Sequence, residues 1–494
     1  MNTVVVAFLI SLAVAFLLTP MVRDAAIRFG ALDHALTSRK IHGRPTPRLG
    51  GIAIVVAFYV PLVALFFFDT GVGRLFWSQP QRALALIAGG LAMAALGVYD
   101  DLYGSGARIK FTVQILIAVL MWWAGYRADV IATPFGTLEL GILGLPFTVL
   151  WIVGITNALN LIDGLDGLAT GIALAAAATL FWVAFANNRP LMTLFMVCLM
   201  GALLGFLRYN FHPASIFMGD SGSLFVGFVL AATALETHEK STTGVALLVP
   251  IVALGLPIGD TLLAMTRRMV RGQPMFSSDQ GHIHHRLMAR GLSHRTTVLA
   301  LYGIAIVLSG VAVGLFHSDA EQTLAFGGAV VAIAAMLLIA AGYVRFDRGR
   351  KLLVDRKQNL GMRAAVREAG ERLRKAEEVE GIWEAVREAG LALQASCVGL
   401  VVVAGNGTVR RSGFSHGFDE APSSLLRARF SLLGERPDEG YVELGFSDGR
   451  RTVDRDTEIA VELLCEHVHA AVERIAARQA GEKTGGRKLL KFRG

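Results

Sequence analysis

Eleven apolar runs dominate the chain, lying near 3–20, 51–68, 83–99, 111–125, 143–160, 167–187, 191–207, 220–236, 244–265, 297–316 and 323–344. Each is close to the roughly 20 residues that a helix needs to cross a bilayer. Hydrocarbon offers backbone N–H and C=O groups no water, so runs of this kind are restricted to structures that satisfy those groups internally. With 54% hydrophobic and 17% charged residues, the composition lies outside that of an ordinary soluble domain. The expected fold is a polytopic α-helical membrane protein with about eleven transmembrane helices. The first run lacks a basic flank and a small-residue cleavage site, which predicts a retained span rather than a cleaved leader.

Basic residues set the expected orientation. Segment 21–48 carries Arg23, Arg28, Arg39, Lys40, Arg44 and Arg48, and segment 266–296 carries Arg267, Arg268, Arg271, Arg286, Arg290 and Arg295. The alternate loops hold only scattered residues such as Arg74, Arg127 and Lys240. The positive-inside rule therefore makes the odd loops cytoplasmic, the N-terminus external and the C-terminal region cytoplasmic. The same rule, with anionic lipid headgroups, accounts for the net charge of +8, so no nucleic-acid partner is expected. Three cysteines without CxxC spacing imply neither a disulfide framework nor a cysteine metal site.

Beyond about residue 345 the composition changes. Residues 1–345 form the expected membrane domain, and 346–392 read as a charged connecting helix with Glu/Arg and Glu/Lys pairs at helical spacing. Residues 393–480 contain β-type runs at 397–404, 426–433 and 440–446 followed by an amphipathic helix at 455–478, predicting a small cytoplasmic α/β domain. The basic, glycine-containing segment 481–494 is expected to be irregular.

Four polar constellations interrupt the membrane-grade sequence, and all fall at odd loops. They are Asp100-Asp101, the stretch NALNLIDGLDGLATG at 157–171, YNFHPASIFMGDSGS at 209–223, and SSDQGHIHHRLMARGLSHR at 277–295. Carboxylates beside a lipid-spanning helix are costly enough to mark a functional site. Asp100, Asp101, Asp163, Asp166 and Asp220 supply oxygen donors without thiolates, a set that suits Mg²⁺, or Mn²⁺, rather than Zn²⁺. Glycines beside Asp163, Asp166 and Asp220 allow backbone amides to approach a phosphate, and helix N-termini at the sixth and eighth runs add positive dipole ends. Carboxylate-held metal beside amides and basic side chains predicts phosphoryl transfer on a phosphate ester or diphosphate. Taken singly, the acid pair is also an ordinary helix cap and the DG repeats ordinary turns. His282, His284 and His285 invite a zinc reading, but no matched Cys or HExxH pattern accompanies them. His34, His42, His212 and His294 are expected to be loop residues without identifiable partners.

Together, DD at 100–101, NALNLIDGLDGLATG, FMGDSGS at 217–223 and DQGHIHHRL at 279–287 resemble the polyprenyl-phosphate N-acetylhexosamine-1-phosphate transferase superfamily, glycosyltransferase family 4. HIHH followed by Arg-Leu is similar to the WecA and TagO branch rather than the MraY type. The resemblance implies transfer of N-acetylhexosamine-1-phosphate from a UDP-N-acetylhexosamine, UDP-GlcNAc above all, to undecaprenyl phosphate at a bacterial inner membrane. It implies Asp220 as Mg²⁺ ligand, supported by Asp101, and Asp100 as the candidate base. Asn160, Asp163 and Asp166 would stand near metal and nucleotide, with Asn210 and Phe217 in the uridine pocket. His282, His284, His285 and Arg286 would contact diphosphate or sugar, Lys40 and Arg48 the phosphates, and Lys110, at the start of the next span, would be a further substrate-binding residue. The C-terminal domain resembles a truncated GAF-type module, with a ligand-free oligomerisation or partner-docking role, including a homodimer, at least equally open. An ion-coupled transporter and a membrane-anchored sensor acting through the C-terminal domain are the rival classes. The first would place its site near the bilayer midplane rather than at one face.

Overall fold

The computed structural model describes residues 2–33, 46–67, 80–133, 136–238, 248–271, 281–318, 320–341, 349–404, 410–418, 425–432, 440–450 and 452–489. The chain divides into two compact units, one of residues 1–264 and 279–345, the other of 265–278 and 346–494.

The first unit is a helical bundle. Its helices are α1 (Asn2–Arg28), α2 (Gly50–Phe67), α3 (Pro80–Tyr103), α4 (Ala107–Trp123), α5 (Gly144–Ile162), α6 (Leu168–Ala186), α7 (Pro190–Asn210) and α8 (Gly219–His238), followed by α9 (Leu248–Ala253), α10 (Gly255–Arg271), α11 (Ile283–Met288), α12 (His294–His317) and α13 (Ala320–Ala340). Among the described residues, seven helices are long and apolar enough to cross a membrane, and α2 is a shorter apolar helix. The chain is thus a mostly helical, polytopic membrane protein. The ninth apolar run is not one helix but two, α9 and α10. Proline has no N–H, so Pro257 cannot bond the carbonyl one turn back, and it lies in the first turn of α10, where that loss is tolerated.

Helix α7 sits at the centre of the bundle and α13 at its rim, nearly bare. Lipid tails are as apolar as the helices, so association depends on close packing at small residues. Gly201 and Gly205, one turn apart on α7, meet α1 so closely that an added Cβ would stand 2.5 Å from the Phe8 carbonyl oxygen and 2.6 Å from that of Leu12. At one end of α3 and α8, Glu236 accepts from Arg82 Nη1 at 2.5 Å and from Arg189 Nη1 at 3.1 Å. At the other ends of the same helices stand Asp100 and Asp220. At the usual helical rise, Arg82 and Asp100 are roughly 27 Å apart along α3, close to the thickness of a hydrocarbon core.

The second unit contains α14 (Gly349–Lys375), α15 (Val379–Ala392), four strands and α16 (Arg455–Leu489). The strands are Cys397–Ala404, Arg410–His416, Leu426–Ser431 and Gly440–Phe446, all antiparallel, with the first and last at the centre of the sheet. Val398, Leu400, Val402, Val442, Leu444 and Phe446 point to one face and share a core with Val366, Leu373, Ile382, Val386, Val461 and Leu464 of the helices. The segment expected to be a single connector is therefore two helices that complete this core. Strand Arg410–His416 carries no apolar alternation and so gives no strand signal in the sequence. Helix α16 runs on to Leu489, past the glycines expected to begin an irregular tail. Once nucleated, a helix gains one hydrogen bond per residue fixed, and the Ala-, Lys- and Leu-containing continuation extends it.

Candidate active site

Asp100 and Asp101 end helix α3, and their neighbours divide their roles. Asp100 Oδ1 accepts from the Ser105 amide at 2.7 Å and its hydroxyl at 2.5 Å, which ties the helix end to the turn leading into α4. Its Oδ2 lies 2.6 Å from Lys110 Nζ. Asp101 instead accepts from the Asp220 amide at 2.9 Å and the Ser221 amide at 3.0 Å, capping the N-terminus of α8 from another helix. Those amides were expected to meet a phosphate; the Asp101 carboxylate takes them instead.

Lys110 joins the two acidic helices. Its Nζ is 2.7 Å from Asp220 Oδ2, while Asp220 Oδ1 accepts from Asn160 Nδ2 at 2.9 Å. The same Asn160 amide donates to Ser223 Oγ at 2.8 Å. Gly219, just before Asp220, has φ +69°, and an added Cβ would stand 2.2 Å from the Arg48 carbonyl oxygen and 2.6 Å from Asp101 Oδ2. Only glycine fits such a position without strain. On the facing helix, a Cβ at Gly97 would stand 2.3 Å from the Asp220 carbonyl oxygen, so the two backbones touch beside the acids.

The end of the first basic loop is pinned to the same turn. Phe217 N donates to Pro47 O at 2.8 Å, Gly50 N to Phe217 O at 3.0 Å, and Gly51 N to Met218 O at 2.8 Å. Arg48 and Phe217 are thereby brought beside Asp220. Lys40, His34 and His42 lie outside the described residues.

Asp163 follows the last residue of α5. Burial and the neighbouring carboxylates of Asp220, Asp101 and Asp166 push its carboxyl up to about 8. Asp166 faces another way: its Oδ2 accepts from His212 Nδ1 at 2.8 Å and from the Ala214 amide at 3.0 Å. The sequence identifies no partner for His212 or His294; their rings stack with centroids 4.1 Å apart and planes 19° apart. Side-chain donors of Asp166, His212 and His294 fall within 4.8 Å of one another. Nearly parallel stacked imidazoles aim their lone pairs side by side rather than at a common point, which does not suit a shared transition metal. Tyr302 completes this wall by donating to Gly167 O at 2.5 Å.

Asn210 is fully engaged inside the protein, with Oδ1 accepting from Thr170 Oγ1 at 2.6 Å and Nδ2 donating to Ile216 O at 3.0 Å. It holds the loop that carries Phe217. Arg286 donates to Ala341 O at 3.2 Å, toward the end of α13. In the HIHH segment, His282 is the N-cap of α11 and pairs through Nδ1 with Asp260 Oδ2 at 2.8 Å. His284 is 1% exposed, and neither ring nitrogen has a hydrogen-bond partner among the described residues. Its ring rests on Gly164, where an added Cβ would stand 2.7 Å from Nε2. Burial, helped by the neighbouring His285, pushes His284 down to about 3, so the ring is neutral. The rings of His284 and His285 lie 4.3 Å apart.

Sequence reasoning missed Asp260, Ser105 and Tyr302. Asp260 carried the same signal as Asp163, a carboxylate inside an apolar run, but stood alone in its stretch.

The donor set fits a hard divalent cation. Asp100 and Asp220 meet at the Lys110 ammonium, with Asp101 bonded to the turn that carries Asp220 and Asp163 close enough to both acids that burial first, and their charges second, raise its carboxyl. Such an arrangement can neutralise and orient phosphate groups.

Comparison with known proteins gives the same direction. The sequence model of Glycosyl transferase family 4 matches residues 83–238. The chain is 42% identical over 311 residues to a probable undecaprenyl-phosphate N-acetylglucosaminyl 1-phosphate transferase of Bacillus subtilis, covering 63% of this chain and 84% of that protein. It is 37% identical over 350 residues to the decaprenyl-phosphate N-acetylglucosaminephosphotransferase of Mycolicibacterium smegmatis, covering 66% and 86%. A phospho-N-acetylmuramoyl-pentapeptide-transferase of Listeria welshimeri is 30% identical over 321 residues, covering 62% and 94%. With its acidic helix ends, DGLDG turn and HIHH segment gathered into one unit and these relatives matched over most of their length, the chain belongs to the polyprenyl-phosphate N-acetylhexosamine-1-phosphate transferase superfamily.

Proposed function

We propose that the protein transfers N-acetylglucosamine-1-phosphate from UDP-N-acetylglucosamine to undecaprenyl phosphate, at the cytoplasmic face of a bacterial inner membrane crossed by about eleven helices. An oxygen of the lipid phosphate attacks the β-phosphorus of the nucleotide sugar. The bond from that phosphorus to the bridging oxygen breaks, UMP leaves, and a diphosphate-linked lipid sugar forms for cell-surface polysaccharide synthesis. The observation that carries this reading is the bridge of Lys110 between Asp100 and Asp220, which joins two helix ends into one charged site.

Asp220 and Asp163 are the side chains that would hold Mg²⁺, which when bound neutralises diphosphate charge. Asp101 acts through the backbone, fixing the first turn of α8 so that Asp220 projects correctly. Asp100 is engaged by Ser105 and Lys110, and a phosphomonoester is already largely dianionic at neutral pH. Its role in this reading is to keep Lys110 directed at the lipid phosphate rather than to remove a proton. Phe217, beside Asp220, offers a ring for uracil, and the neutral His284, with no partner at either ring nitrogen among the described residues, has one N–H to donate to the sugar phosphate.

The test is incubation of purified protein with undecaprenyl phosphate, Mg²⁺ and a panel of UDP-N-acetylhexosamines, following UMP and lipid product. UMP release that depends on both the lipid and the metal is expected, greatest with UDP-N-acetylglucosamine. Folded protein that releases no UMP from any donor refutes the reading.

A further inference from the structure

The buried acid Asp260 on α10 is 22 residues before His282 and belongs to none of the four polar constellations. It is 2% exposed, so its charge is held by what it bonds. Oδ1 accepts the amide of Ile283 at 2.9 Å, and Oδ2 meets His282 Nδ1 at 2.8 Å. One oxygen thus satisfies an otherwise open amide at the start of α11, where His282 offers no side-chain cap. The other meets a ring nitrogen. An ionised carboxylate only accepts, so Nδ1 carries the hydrogen and Nε2, on the opposite edge, keeps its lone pair. The His282 ring lies 5.7 Å from that of His284 and within 6° of parallel to it, and His284 rests on the Gly164 turn between Asp163 and Asp166.

We propose that Asp260 is a positioning residue of the transfer reaction: it fixes His282 in the Nδ1–H form and so presents Nε2 to the substrate as an acceptor. The proposal rests on the transferase reading above. Asp260 touches no reacting atom; it sets which edge of the imidazole accepts and holds the whole HIHH segment against α10. A carboxylate serves where an amide cannot, because two donors converge on it. An asparagine can offer its oxygen to Ile283 N–H or to the ring, but its NH₂ then faces the other donor. With oxygen on the amide, the NH₂ group drives the ring hydrogen to Nε2 and removes the acceptor.

The experiment measures UMP release and ¹⁵N-histidine spectra for the full chain and for Asp260→Asn, His282→Ala and the double variant. Asp260→Asn is expected to lose about 100-fold in kcat, less than the roughly 10⁴-fold that a wrong tautomer costs a general base because His282 here accepts a hydrogen bond rather than moving a proton, while KM for the UDP-sugar changes less than about threefold. Its His282 signal moves from the Nδ1–H to the Nε2–H pattern, and the double variant is no slower than His282→Ala. Asp260→Asn turnover within about threefold of the parent overturns the proposal, as does a double variant far slower than His282→Ala. Should Asp260→Asn not fold, the parent spectrum decides: an Nε2–H pattern at His282 overturns the proposal and an Nδ1–H pattern supports it. A parent protein that releases no UMP refutes the transferase reading instead, a result separate from the tautomer.

Discussion

The Lys110 ammonium lies 2.7 Å from a carboxylate oxygen of Asp220, although the two residues are 110 positions apart. Since the same ammonium reaches Asp100, its loss leaves two partly buried acids facing each other. Lys110→Met is expected to lower kcat about 100-fold or more, the scale of removing one preorganised electrostatic group. Lys110→Arg does not restore it, because a planar fork cannot occupy the place of a compact point charge. UMP release measures both, and normal turnover in Lys110→Met removes the residue from the site.

Asp163 gives a pH prediction. Its carboxyl, pushed up to about 8, holds a proton below that value and is free to bind a cation above it. Mg²⁺ affinity should therefore rise with pH up to about 8 and then level off, and Asp163→Asn should flatten that slope. For the metal-free protein the sign runs the other way. Between the ordinary carboxylate range and about 8 the folded chain keeps a proton that the unfolded chain releases, so stability falls as pH rises through that window. Calorimetric Mg²⁺ titrations from pH 6 to 9 check the first statement and melting curves the second.

Gly219→Ala places a methyl group against the Arg48 carbonyl and the Asp101 carboxylate, in a backbone conformation that disfavours it. The expected cost is about 1–3 kcal/mol, seen as a lower melting temperature in detergent together with reduced Mg²⁺-dependent turnover. Unchanged melting and turnover contradict the geometry of the α8 cap.

Glu236 joins Arg82 and Arg189 at the end of α8 remote from the acids. Glu236→Ala leaves the nearly buried Arg189 without its charge partner, at an expected cost of about 3 kcal/mol or more. Because the triad is far from Asp220, KM for both substrates should stay within about twofold in the folded fraction. A stability loss accompanied by a large KM change shows that the two ends are coupled.

Much of the candidate site was legible for one energetic reason. A carboxylate in membrane-grade sequence needs a purpose, and this singled out Asp100, Asp101, Asp163, Asp166 and Asp220 before any fold was known. The direction each side chain takes was not legible. Asp101 turned to backbone amides and Asp166 to His212, while Asn210 turned inward and Arg286 reached the end of α13. Such choices depend on which loop ends meet, as when Pro47 pairs with Phe217 across 170 residues of chain. Asp260 shows the limit from the other side, since its sequence signal was sound but its partner His282 lay in a separate stretch. In the second unit, apolar alternation revealed three strands, and Arg410–His416, with two arginines and no apolar face, gave no such signal.

The backbone contact at Gly97, with ion pairs holding the far ends of the same two helices, has a mechanical consequence. Helices α3 and α8 cannot slide past one another, so a thicker or thinner bilayer is met by tilting them as a unit. The spacing of Asp100 and Asp220 is then indifferent to lipid composition, and an enzyme whose acceptor is itself a lipid keeps a constant catalytic gauge while its solvent varies.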